Sequence, residues 1–169
     1  MIGAMEFQNG EGWRNKCSKE LEEKGIICYD PYKKPFDEDY VKEDQDTQEK
    51  IKLLRENGEL EEVHKHFKEI IAIDLAMVDR SDFIICYINP STPTFGTMHE
   101  LIVANQAKKP IFIFVEGGKT KTPLWLLGLL PVRFFYDDLD SLLDMVKKID
   151  DGTVEIDSKR WRLFKKHYR

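Results

Sequence analysis

Apolar residues recur along this chain with two periods, and their alternation predicts an α/β fold. From Gly12 to Lys24, Trp13, Cys17 and Leu21 return every fourth position, one face of a helix that Gly25 stops. Thr47–Glu56 reads as a helix ended by Asn57-Gly58. Glu59–Val78 follows, with Leu60, Val63, Phe67, Ile70, Ile71 and Leu75 on one side. Phe83–Ile88 and Ile111–Val115 are instead apolar almost throughout, as in parallel strands buried on both faces. Thr97–Lys108 joins them as a helix, so a right-handed βαβ unit is the expected geometry. Thr122-Pro123 opens a short helix through Leu127, Arg133–Tyr136 reads as an edge strand, and Leu139–Ile149 as a helix.

Two shorter runs complete the pattern. Met1–Ala4 is a brief apolar start, and Ile26–Tyr29 is a strand closed by Asp30-Pro31. Five strands with interleaved helices predict a flavodoxin-like, doubly wound parallel sheet of order 2-1-3-4-5 with a helical C-terminal extension. Residues 1–150 are expected to form one domain, with 151–169 packed on it. Tyr32–Asp46 is polar, acidic and carries prolines, which suggests a surface excursion that could act as a lid.

Composition narrows the function classes. A 169-residue chain of 41% hydrophobic residues can bury a proper core, and no apolar run approaches a bilayer span. With no signal-like start, the expectation is a cytoplasmic protein without a membrane partner. Net charge −5 argues against nucleic acid as the partner. The C-terminal SKRWRLFKKHYR is a local exception, read as a segment docking through Trp161, Leu163 and Phe164 with its charges in water. The three cysteines, Cys17, Cys28 and Cys86, show no metal-ligand spacing and read as buried thiols. His64 and His66 lie in a charged helix, so no metal is expected.

Chemistry concentrates between Asp74 and Glu100. In a doubly wound sheet the ligand site lies at the carboxyl ends of the strands. The loop after strand one (Gly3, Ala4, Met5, Glu6 to Gly12-Trp13) would face the loop after strand three (Asn89 to Gly96) across that crevice. Thr97-x-x-Glu100 also fits a capping box, so from spacing alone Glu100 is equally a cap partner or a reactive carboxylate. Asp74 is flanked by Ile73 and Leu75, which suggests burial; the alternative is a solvated helix acid. Asp82 reads as structural, and Ser91 as a turn residue or a hydrogen-bond donor. His99 points about 100° away from Glu100 on a helix and reads as surface or packing. Gly117-Gly118-Lys119-Thr120 lacks the spacing of a phosphate loop and reads as a turn.

GAMEFQNGEGWR near the start, Asp74-x7-Asp82, and Pro90-Ser91-x4-Gly96-Thr97-x2-Glu100 resemble the nucleoside 2-deoxyribosyltransferase family and its N-glycoside hydrolase relatives, over residues 1–136. The resemblance implies Glu100 as nucleophile and Asp74 as the group assisting departure of the base. It also implies a substrate pocket shaped by Gly3, Ala4, Met5, Glu6, Gly12, Trp13, Asn89, Ser91, Phe95, Gly96 and Thr97. It implies a homo-oligomer too, for which Pro123–Pro131 is the candidate interface. The chain departs from the family pattern in three ways. Phe95 stands where transferases carry an aspartate that contacts the sugar. Ala4, Met5 and Glu6 replace the Ser and Arg that hold a 5′-phosphate in nucleotide hydrolases, with Arg14 the nearby cation that could substitute. The first strand also begins at Met1.

Breaking a deoxyribosyl N-glycosidic bond develops positive charge at the anomeric carbon. A carboxylate on one face can capture it while a second group aids the leaving base. The expectation is therefore an enzyme acting on deoxynucleosides or deoxynucleotides, without metal or organic cofactor. The competing expectation is a nucleotide-binding or sensing module without turnover. A flavin carrier lacks its Ser/Thr/Gly-rich phosphate loop.

Overall fold

The computed structural model describes residues 1–3, 10–33, 45–92 and 94–154. They fall into two compact units, Tyr29–Arg80, and Met1–Cys28 together with the chain from Ser81 onward.

The second of these holds a parallel sheet. β1 (Ile84–Ile88) pairs with β2 (Ile111–Val115) from Ile84↔Ile111 to Ile88↔Val115, and β2 pairs with β3 (Phe135–Tyr136). Both long strands are apolar on alternate faces because both faces are covered. Ile85, Phe112 and Phe114 pack with Cys17 and Leu21 of α1 (Gly10–Glu22), and with Leu142, Leu143, Val146 and Ile149 of α6 (Leu139–Asp150). Asp138 caps α6, accepting from the Ser141 amide at 2.7 Å, while Lys147 and Lys148 complement its carboxyl end. Lys147–Glu20, Lys24–Asp151 and Lys16–Asp140 are ion pairs between the α1 region and the α6 region. The other face belongs to the alternate strand residues, and α4 (Phe95–Gln106) packs against β2 with Leu101 and Ala104 buried.

The expected five-stranded sheet is not what forms: among the described residues it has three strands, in the order β1-β2-β3. The predicted first strand contributes a single bridging residue, Ile2. Its amide donates to the Ile85 carbonyl at 2.9 Å, and its carbonyl accepts from the Tyr87 amide at 3.0 Å. The Gly3 carbonyl, which alternates to the side away from β1, accepts from Arg14 Nη2 at 2.8 Å. Residues 26–29 form no strand. The Ile26 amide closes back on the Leu21 carbonyl, and Ile27 is 84% exposed. The predicted edge strand shortens to β3 because Pro131 leads into a 3₁₀ turn over Val132–Phe134. What remains is α/β, with β1–α4–β2 as its centre.

The unit Tyr29–Arg80 is helical. A 3₁₀ turn at Pro31–Lys33 is followed by α2 (Gln45–Glu56) and α3 (Leu60–Arg80), which pack on each other. They are joined through Gly58 at φ 79°, a left-handed turn that glycine takes without strain. Most of the expected Tyr32–Asp46 lid, residues 34–44, lies outside the described residues, as does the C-terminal extension over 155–169. In the unit that holds the sheet, α5 (Leu124–Leu129) matches the expected short helix, shifted along the chain by its start after Pro123.

Candidate functional site

Glu100 owes its place to how α4 begins. The helix starts at Phe95, two residues earlier than its sequence pattern suggests. Thr94 is its N-cap residue in extended conformation, and the Thr94 and Thr97 hydroxyls bond at 2.5 Å. Thr97 is therefore a buried residue inside the helix, and the capping box read from Thr97-x-x-Glu100 does not form. Glu100 moves to the second turn, half-buried, beyond the first-turn reach of the helix dipole expected to favour its ionised form. His99 beside it is exposed. The Glu100 carboxylate raises the pKa of the Cys86 thiol, which burial has already pushed up, whereas the Arg14 guanidinium acts on the same thiol in the opposite sense. A carboxylate and a guanidinium thus both lie within electrostatic reach of the middle of β1.

Arg14 belongs to a wall built on the edge of the sheet. It is fully buried, its guanidinium lies 4.6 Å from the Trp13 ring centre, and Nη2 is held by the Gly3 carbonyl. The guanidinium is thus anchored at the start of the chain, against Gly3 and Trp13. Trp13 meets Phe114 edge-on at 5.3 Å and Tyr87 at 6.0 Å, and Tyr87 stacks on Phe114 at 5.0 Å. Each such pair adds about 0.5–1.5 kcal/mol beyond the area it buries. Gly3 is required here. A Cβ at that position would stand 3.1 Å from the Tyr87 carbonyl oxygen and 3.3 Å from the Trp13 ring. The structure therefore brings Gly3 and Trp13 together, with Tyr87 as a member that hydropathy reasoning treated only as strand.

The carboxyl ends of β1 and β2 carry a second arrangement. Tyr87 donates its hydroxyl hydrogen to Glu116 Oε2 at 2.8 Å, and the Asn89 side chain also bonds that hydroxyl. Burial first, and then the Glu116 carboxylate, pushes the phenol up to about 12. Asn89 Oδ1 accepts from the Ser91 amide at 2.9 Å, and the Asn89 carbonyl from the Thr92 amide at 3.0 Å. Ser91 is thus an exposed residue in an Asn-initiated turn. Tyr87 and Glu116 were legible only through register. Tyr87 faces Phe114 across the ladder, so Glu116 continues the neighbouring strand at just the height of its hydroxyl.

The remaining predicted residues are less tied to this wall. Phe95 is 96% exposed at the start of α4, and the adjacent Gly96 has open space around it. Gly12 is likewise exposed on α1 with nothing near its missing Cβ. Ala4, Met5 and Glu6 lie outside the described residues. Asp74 is half-buried on α3, in the Tyr29–Arg80 unit, whereas Glu100 is in the other. Asp82 is an exposed residue just before β1. The Gly117–Thr120 segment is a turn whose Lys119 amide is already bound by Asp137 Oδ1 at 2.9 Å, which removes it as a phosphate cradle. Among the described residues, no group of His, Cys, Asp and Glu is arranged to hold a metal ion, and no helix is long and apolar enough to cross a membrane. No family model, curated protein or solved structure matches the chain.

Proposed function

We propose that the chain is an enzyme of the nucleoside 2-deoxyribosyltransferase type, cleaving the N-glycosidic bond of deoxynucleosides or deoxynucleotides. A Glu100 carboxylate oxygen attacks the anomeric carbon as the carbon–nitrogen bond breaks. Departure of the base calls for a second group that protonates it or hydrogen-bonds to it, the role the resemblance gives to Asp74. The deoxyribosyl ester then passes to a second base or to water. The supporting observation is that Glu100 is a half-buried carboxylate in the second turn of α4, within electrostatic reach of the buried middle of β1. Trp13, Asn89, Ser91, Gly96 and Thr97 are proposed to line the pocket with Gly3. The mechanism calls for neither metal nor organic cofactor.

The proposal extends to the assembly. Leu124 and Trp125 are 86% and 79% exposed on α5, while Leu126 and Leu130 are buried. A second copy covering that apolar edge accounts for the exposed pair. The proposed setting is the cytoplasm, with small nucleosides or nucleotides as partners.

Incubation with deoxynucleosides and their 5′-monophosphates, with and without a free acceptor base, tests the reading by chromatography. Free base alone identifies a hydrolase, and an exchanged nucleoside a transferase. Glu100→Ala is expected to lower either rate by about 10⁴-fold or more, and Asp74→Asn by about 10²–10⁴-fold. Unchanged turnover by Glu100→Ala would remove the mechanism. The exposed Phe95, in place of a sugar-binding carboxylate, favours one second reading, a sensor that binds without turnover. Binding with neither product would identify it.

A further inference from the structure

Two of the three cysteines meet at the end of α1. The helix stops at Glu22, and the chain reverses through Gly25 at φ 76°, whose amide bonds the Glu22 carbonyl at 2.9 Å. The Ile26 amide then closes on the Leu21 carbonyl at 3.1 Å. From that closure, Cys17 lies one helical turn back along α1, about 6 Å. Cys28 lies two extended residues onward, about 6.6 Å. The two lengths are nearly equal, and both cysteines pack into the same apolar cluster. Their side chains are hydrogen-bonded to each other, Cys17 fully buried and Cys28 half-buried. The bond holds Cys28 below the ordinary thiol range and Cys17 above it, as when Cys17 donates its hydrogen to the Cys28 sulfur.

We propose that Cys17 and Cys28 are an oxidation site, a dithiol that closes to an intramolecular disulfide when the protein meets a hydroperoxide. The Cys28 sulfur, the more accessible one, attacks a peroxide oxygen. The S–O bond forms, the O–O bond breaks, and the other oxygen leaves as water or alcohol with the proton Cys28 gave up. The Cys17 sulfur then attacks the Cys28 sulfur, the S–S bond forms, and the S–O oxygen leaves as water with the Cys17 proton. The two thiols supply the two electrons that reduce the peroxide, and a dithiol reductant reverses the change. Cys86 takes no part. It is fully buried on β1, its hydrogen directed to the Tyr87 carbonyl at 3.7 Å. The cross-link would tie residues 26–28 to α1 one turn beyond Trp13, bracing the wall that Trp13 and Arg14 form.

Treating the full-length protein with hydrogen peroxide, alkylating it, and mapping unreduced peptides by mass spectrometry tests the assignment. The expected product is a monomer lighter by two hydrogens, with the Cys17 and Cys28 peptides joined and Cys86 alkylated only after denaturation. Dithiothreitol should restore it. Cys17→Ser, checked for folding by circular dichroism, should instead accumulate sulfenic and then sulfinic acid on Cys28. Sulfinic acid on Cys28 in the unsubstituted protein would overturn the proposal. So would a disulfide between two chains, or both thiols surviving peroxide that oxidises free cysteine.

Discussion

Tyr87 shows how one residue links the sheet to the region around its carboxyl end. Its ring stacks on Phe114 and its hydroxyl is divided between Glu116 and Asn89, so burial and the nearby carboxylate push its pKa up to about 12; burial does the same at Tyr136. For a phenol raised in the fold above its unfolded value near 10, folding favours the protonated form. The resulting stability is whole below pH 10 and is lost as pH climbs through about 12. Urea denaturation is therefore expected to show stability falling across that window, and less steeply in Tyr87→Phe; equal slopes would show that Tyr87 titrates normally. Trp13 and Gly3 were singled out together by the family resemblance, and they lie against each other in the fold. Tyr87 was not singled out, because in an apolar strand only the partner register shows what lies beside its hydroxyl.

The helices were legible as elements because an amphipathic period and a stop signal are local. α4 is the instructive case. Its start moved to Phe95, with the Thr94 carbonyl accepting from the Met98 amide at 3.2 Å, and that small shift removed Glu100 from a capping box and from the first turn. Its end carries a strain the sequence does not advertise. Lys108 sits at φ 61°, the left-handed region, with its amide on the Asn105 carbonyl at 3.1 Å. A side chain there costs roughly 1–2 kcal/mol, offset in part by the extra backbone freedom glycine has when unfolded. Lys108→Gly is accordingly expected to raise stability by about 0.5–1 kcal/mol, whereas Leu142→Ala, in the packed core, should lower it by about 2–5 kcal/mol. Thermal melts of both variants check this, and a destabilised Lys108→Gly would contradict the reading of the cap. The strands were legible only where they are central. β1 and β2 are apolar on both faces, whereas Ile26–Tyr29 forms no strand, and the Gly3 carbonyl that such a neighbour would use is taken by Arg14.

At the scale of the molecule, the sequence order Asp74, β1, Glu100 suggested two carboxylates bracketing one strand. In the fold α3 carries Asp74 and α4 carries Glu100, and the two helices belong to different compact units. Residues near in sequence can be assigned to one sheet by hydropathy, but the division of a chain into units rests on long-range contacts that no local pattern encodes. Glu100 carries the heavier part of the functional proposal, since its chemistry needs only one carboxylate at the anomeric carbon. The most direct measurement is an acid-quenched reaction with a deoxynucleoside, digested and mapped by mass spectrometry. The account predicts a deoxyribosyl ester on the Glu100 peptide, absent from Glu100→Ala. An ester on another residue, or full base release by Glu100→Ala, would contradict it.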